Sequence, residues 1–193
     1  RVACIGNSIT IGSGGSTAWP QQLGQRLGAH YNVRNFGVSG TTLLRHGDYP
    51  YWNESAFLQA QDFDPHIVII CLGTNDSKPQ NRLFLGEFFT DYMDFIKVLR
   101  KEGRDPQIYV ARPCPVFGDG GGSGINGAVL HGQIEPTVDS VRVAAGGFMI
   151  DFYRAMLSHG DLFPDGIHPN TTGYAMMADT AAWYLNNSPS GFI

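Results

Sequence analysis

The chain has 193 residues, 42% of them hydrophobic and 16% charged, which excludes a disordered or highly solvated polypeptide and suits one domain with a substantial core. With 13 Lys and Arg against 17 Asp and Glu, the net charge of -4 offers no basic footprint for nucleic acid or an anionic membrane. Apolar runs such as Ile67 to Leu72 are far too short to span a bilayer.

Short β-rich runs alternate with helical patterns along the chain. Arg1 to Gly6 reads as a first strand, followed by a Gly/Ser loop and a helix around Ala18 to Leu27, where Pro20 suits the first turn. Tyr31 to Phe36 is a second strand. Ile67 to Leu72 is a third, apolar enough to be covered on both faces. Phe88, Tyr92, Phe95, Ile96 and Leu99 form one continuous stripe at helical spacing, with Gly103 as the stop signal. Gln107 to Ala111 makes a fourth strand, Glu135 to Ala145 a helix, and Phe148 to Ile150 a fifth strand. A last helix carries Tyr174, Ala178, Ala181, Ala182 and Leu185 at the same spacing, and the tail after Asn187 reads as frayed. This βαβα alternation predicts a flavodoxin-like three-layer α/β/α sandwich around a five-stranded parallel sheet, as a single domain over residues 1–193. Ligand sites in such sheets lie at the carboxyl ends of the strands.

Several motif matches fail on context. Three cysteines close no disulfide framework, and C-x-x-C and H-E-x-x-H spacings are absent, so neither a metal nor a cofactor is expected. Cys4 and Cys71 read instead as buried strand residues. The run Gly122-Ser-Gly-Ile-Asn-Gly127 fits G-x-G-x-x-G, but it follows a Pro-Cys-Pro loop and reads as a flexible loop. Residues 6–15 lack a phosphate-loop lysine. Gly37-Val-Ser-Gly-Thr41 falls short of a nucleophile elbow at its fourth and fifth places.

The strand ends hold more. They read Gly6-Asn7-Ser8, Gly37-Val-Ser-Gly40 and Gly73-Thr-Asn75-Asp76, and Asp165-Gly-Ile-His168-Pro follows near the C-terminus. Singly, each residue has a bland role as a cap, a turn or an exposed loop residue. Together, these four ordered blocks resemble the SGNH hydrolases, the GDSL-type esterase superfamily, over positions 6–169. The wording of the blocks, with Asp48-Tyr-Pro-Tyr-Trp52, is similar to bacterial carbohydrate esterases of the sialate O-acetylesterase-like kind. One position departs: the family carries Asp before its serine, whereas Asn7 keeps the hydrogen-bonding shape and loses the charge.

The resemblance implies a serine esterase with Ser8 as nucleophile, His168 as base and Asp165 orienting the imidazole. It also implies an oxyanion hole from the Ser8 and Gly40 amides and the Asn75 side chain. Activity is then expected to fall in acid as His168 protonates. Trp52, Asp76 and Phe163 are expected beside the substrate. The aromatic segment His46 to Phe57, with Tyr49, Tyr51, Trp52 and Phe57, either stacks on sugar rings or packs onto its own sheet.

A short acyl group, acetyl on a small-molecule or polysaccharide carbohydrate, is therefore the expected ester. The rivals are a lysophospholipase or thioesterase taking longer chains, a catalytically silent sugar-binding domain, and an acyltransferase using the same acyl-serine. Residues 118–132 read as a lid or a mobile loop. Arg1 opens directly on a strand, which suggests a processed start with any targeting segment removed. The sequon Asn75-Asp-Ser77 would put a glycan on the proposed oxyanion donor, which favours a bacterial cytoplasm, periplasm or exterior and leaves the compartment open; Asn170-Thr-Thr172 is a second sequon.

Overall fold

The structure is a computed structural model that describes residues 1–12, 18–101 and 103–188. Five strands build it: β1 (Val2–Gly6), β2 (Val33–Gly37), β3 (Ile67–Cys71), β4 (Gln107–Arg112) and β5 (Phe148–Asp151). All pair in parallel in the order β2-β1-β3-β4-β5. That order reverses direction between β1 and β3, which makes their carboxyl ends the topological switch point. Each predicted strand is present, with ends moved by one or two residues.

Eight helices follow in chain order: α1 (Ser8–Ile11), α2 (Trp19–Leu27), α3 (Ser55–Asp62), α4 (Phe88–Leu99), α5 (Gly127–Val129), α6 (Glu135–Ala145), α7 (Phe152–Met156) and α8 (Thr171–Asn187). The long ones match the predicted stripes. Phe88, Tyr92, Phe95, Ile96 and Leu99 are all buried. Helix α4 ends before the expected Gly103, because Arg100 already leaves helical geometry at ψ 11° while its N–H still closes on Ile96.

Alternation along the central strands divides the core in two. Ala3, Ile5, Val68 and Ile70 face α3, α4 and α6, whereas Val2, Cys4, Ile69 and Cys71 face α2, α7 and α8. Cys4, Cys71 and Cys114 are buried and free, the first two inside β1 and β3 as expected and Cys114 in the loop after β4. Burial on both faces explains why these strands read as continuous apolar runs.

The glycine-rich segment differs from expectation. Residues 118–132 form a 3₁₀ turn at Gly120–Gly122, then α5, then a π-turn at Leu130–Ile134. It is no loose linker. A Cβ on Gly121 would stand 2.9 Å from the Asp165 carbonyl oxygen, and one on Gly166 would stand 2.3 Å from that of Phe117. The glycines let two backbones lie against each other, and Phe117 N–H donates to the Gly166 carbonyl at 2.8 Å. Expectations for residues 13–17 and for the tail beyond 188 fall outside the described residues.

Candidate active site

Strand β1 ends at Gly6, and Asn7 turns the chain directly into α1. The Asn7 side-chain oxygen accepts from Ile9 N–H at 3.0 Å and caps the helix, which leaves Ser8 as its first residue. Capping uses only Oδ1, an atom that Asn shares with Asp, and this accounts for Asn in the place where the resemblance expects Asp. Its Nδ2 is buried without a hydrogen-bond partner. A Cβ on Gly37 would stand 2.2 Å from Ile11 N, so the end of β2 presses closely on the helix that carries Ser8.

The serine is half-buried, and its Oγ lies 2.8 Å from His168 Nε2, across 160 residues of sequence. Asp165 Oδ2 lies 2.6 Å from His168 Nδ1. Asp165 Oδ1 accepts from the backbone N–H groups of Ile167 (2.9 Å) and His168 (2.7 Å). Partial burial pushes the Asp165 carboxyl up, but the His168 backbone and ring and the Ile167 amide outweigh it and hold it at about 2. The carboxylate is thus ionised at any ordinary pH and keeps the Nδ1 proton, leaving Nε2 free to accept the Ser8 hydroxyl proton.

Asn75 opens a 3₁₀ turn just after β3 and is buried. One of its amide hydrogens goes to the Thr41 carbonyl at 3.0 Å, which leaves the second for another acceptor. Gly40 has φ +82°, a conformation that suits glycine, and it stands beside the exposed Tyr49. Ser8, Gly40 and Asn75 therefore follow β1, β2 and β3, around the switch point. The second sequon is structural: Asn170 caps α8 by accepting from Gly173 N–H at 3.0 Å.

The three residues expected beside the substrate each have a packing or anchoring role, with Asp76 and Phe163 buried and Trp52 partly buried. Asp76 is fully buried, and its two oxygens accept from Leu43 N–H (3.1 Å) and Leu44 N–H (2.8 Å). It anchors the loop after β2, and burial pushes its carboxyl up to about 7 against those two bonds. Phe163 is buried in the α8-side core and packs at 5.0 Å on Phe117. Trp52 turns inward, donating from Nε1 to the Leu43 carbonyl and packing edge-on to Phe95 at 5.0 Å. The Arg45 guanidinium lies over its ring at 4.0 Å. Tyr51 and Phe57 are buried, so three of the four rings Tyr49, Tyr51, Trp52 and Phe57 pack on their own sheet and Tyr49 alone of the four is exposed.

A brace around Asn75 gave no sequence signal. The buried Asn81 donates to the Asn75 carbonyl (2.8 Å) and to Asp48 Oδ1 (2.9 Å), and it accepts from Asp48 N–H (2.8 Å). Among the described residues, no group of His, Cys, Asp and Glu is arranged to hold a metal ion.

Comparison with known proteins gives the family and the fold. The pattern of the GDSL-like Lipase/Acylhydrolase family matches residues 4–176. An acetylxylan esterase of Xylanibacter ruminicola is 41% identical over 204 residues, covering 94% of this chain and 42% of that protein. The chain thus spans about two-fifths of the length of that relative. An aryl esterase of M. smegmatis superposes with a TM-score of 0.75 at 19% identity, over 96% of this chain and 98% of that one. A carbohydrate acetylesterase of Sinorhizobium meliloti gives 0.69 at 21% identity, over 96% and 97%.

Proposed function

Since the chain belongs to the GDSL-like lipase/acylhydrolase family, we propose that it is a serine esterase that removes acetyl groups from a carbohydrate polymer of the xylan type. The observation that carries this reading is the unbroken run Ser8 Oγ to His168 Nε2 at 2.8 Å and His168 Nδ1 to Asp165 Oδ2 at 2.6 Å.

In this mechanism Ser8 Oγ attacks the acetyl carbonyl carbon while its proton passes to His168 Nε2. Asp165 stabilises the imidazolium that results and does not itself take the proton. The negative charge on the carbonyl oxygen is met by the Ser8 and Gly40 amides and by the Asn75 hydrogen that Thr41 does not use. When the intermediate collapses, the C–O bond to the sugar breaks and His168 returns the proton to the departing sugar hydroxyl. Water then adds to the acetyl-serine with the same histidine as base, releasing acetate and restoring Ser8.

The substrate class is supported by the acetylxylan esterase relative, and by the exposed Tyr49 ring next to Gly40, which offers a sugar an aromatic face. The test is p-nitrophenyl acetate and acetylated xylan turned over by the wild type beside Ser8→Ala. Loss of about 10⁴-fold or more in kcat on both substrates is expected. Equal rates for the two proteins would overturn the acyl-serine reading, and preference for octanoyl over acetyl esters would move the assignment to a long-chain acylhydrolase.

A further inference from the structure

A concavity opens beyond the carboxyl ends of β4 and β5, on the same edge of the sheet as Ser8. It has two adjoining lobes of about 560 and 350 Å³ that share His131, Tyr153 and Leu157 as walls. Its rim is tied to the catalytic loop, because Phe117, which lines the larger lobe, bonds to Gly166 between Asp165 and His168. Strands β4 and β5 stand two and three places from β1. That is about 10 and 14 Å at ~4.8 Å per strand, a reach of a few linked sugar rings.

The lobes meet at an unusual side-chain group. The π-turn Leu130–Ile134 places His131 Nδ1 3.2 Å from Glu135 Oε2, and π-turns occur disproportionately at functional sites. The His131 ring stacks on Tyr153 at 4.6 Å with only 8° between planes. Glu135 is 4% exposed, lines the smaller lobe, and leaves Oε1 with no hydrogen-bond partner. A buried, unpartnered carboxylate oxygen is costly and calls for a reason. The neighbouring charges do not supply one. The Arg112 guanidinium places three of its five N–H donors on Asp139 (2.9 and 2.6 Å) and Asp151 (2.6 Å), and none reaches Glu135 Oε1.

We propose that this groove is a distal saccharide-binding subsite, in which a pyranose residue of the polymer carrying the scissile ester lies along the His131–Tyr153 pair and donates a hydroxyl to Glu135 Oε1. The chemistry of the walls selects this class. A stacked aromatic pair and the half-exposed Leu157 offer the apolar surface that sugar C–H groups pack against. The free acceptor asks for a neutral donor: Glu135 repels an anion, and of the two arginines that also line the smaller lobe, Arg112 is already paired with Asp139 and Asp151 while Arg154 is exposed at its edge. Burial pushes the Glu135 carboxyl up to about 7 against the pull of His131 and Arg112, as expected of an acceptor short of donors.

The inference rests on the polysaccharide reading of the active site and extends it to substrate length. The test is calorimetric titration of xylo-oligosaccharides into Ser8→Ala, and into the same protein carrying Tyr153→Ala or the near-isosteric Glu135→Gln. Each second change is expected to weaken binding about tenfold, ~1.4 kcal/mol. With Ser8 intact, both variants are expected to keep p-nitrophenyl acetate hydrolysis within about twofold of wild type, since that ester is too small to reach the groove. Oligosaccharide affinity unmoved by both changes, no binding to Ser8→Ala at all, or joint loss of the small-ester activity would overturn the subsite. A wild type inert on p-nitrophenyl acetate would instead count against the catalytic reading, and the titration would still report on the groove.

Discussion

Replacing Asp76 separates an anchoring role from a substrate contact. In Asp76→Asn the amide oxygen keeps one of the two backbone donors, and the amide nitrogen faces the other with no lone pair to offer. One buried N–H, from Leu43 or Leu44, is then left unsatisfied, at a cost of ~1–3 kcal/mol. Taking ~2 kcal/mol, a chain of this size should lose roughly 4–8 °C in Tm. The loss should depend on pH. The folded value of about 7 lies above the ordinary aspartate value of 3.8, so folded protein holds this proton more tightly than unfolded chain. The wild type is therefore favoured in acid and loses this contribution as pH rises from about 4 to about 7, by ~4 kcal/mol over the interval. The Asn variant cannot titrate, so the Tm gap should be widest at about pH 4 and shrink steadily towards pH 7, where a loss larger than the ~2 kcal/mol bond cost would reverse its sign. Differential scanning calorimetry at several pH values, with kcat and KM on p-nitrophenyl acetate and acetylated xylan, reads all of this. An unchanged Tm with a KM raised on xylan alone would refute the argument and make Asp76 a substrate contact.

Asp165→Asn should cut kcat by about 10³–10⁴-fold by weakening control of the His168 tautomer, measured from pH 5 to 9. With the wild-type carboxyl held at about 2, none of the activity change in that range should come from Asp165. Any stability from its lowered value is present above about pH 4 and fades towards pH 2; screening makes it small, because the side chain is half exposed. Gly166→Ala should cost ~2–3 kcal/mol, combining a left-handed alanine (φ +79°) with displacement of the Phe117 bond. Thermal melts should show the loss together with a drop in kcat, and a variant with wild-type Tm and rate would remove the brace from the catalytic account. Asn75→Ala should lower kcat by about 10²–10³-fold with KM within a few-fold, whereas a rise confined to KM would make Asn75 a positioning group.

The sheet was legible because its inner strands are apolar on both faces, and the long helices because Phe88 to Leu99 span enough turns to show a period. Helices α1 and α7, with 4 and 5 residues, are too short to show one. The residues of the proposed triad stand in ordered motif blocks, which is how the sequence points to them. What those blocks could not tell was the direction of neighbouring side chains. Asp76 follows the motif Asn75 directly yet points into the protein, because Leu43 and Leu44 offer amides there. Trp52 turns inward to reach the Leu43 carbonyl. The glycine-rich segment looked loose because composition does not reveal the backbone of residues 165–166 lying against it. The group of Glu135, His131 and Tyr153 was invisible for a similar reason: it needs α7, at the end of β5, to meet the π-turn.

The 160-residue separation between Ser8 and His168 has a consequence for how the protein comes into being. The proposed nucleophile leaves the ribosome with the first strand, while its proposed base arrives after all five strands have been made. No partly synthesised chain lacking residues 165–168 can hold the proton relay, however well its early strands pair. Contacts of such sequence range are among the slowest for a chain to close. Ester hydrolysis can therefore serve as a clock for completion of the fold: in a refolding or coupled-translation experiment, the lag before acetate release times the docking of the last quarter of the chain onto the first.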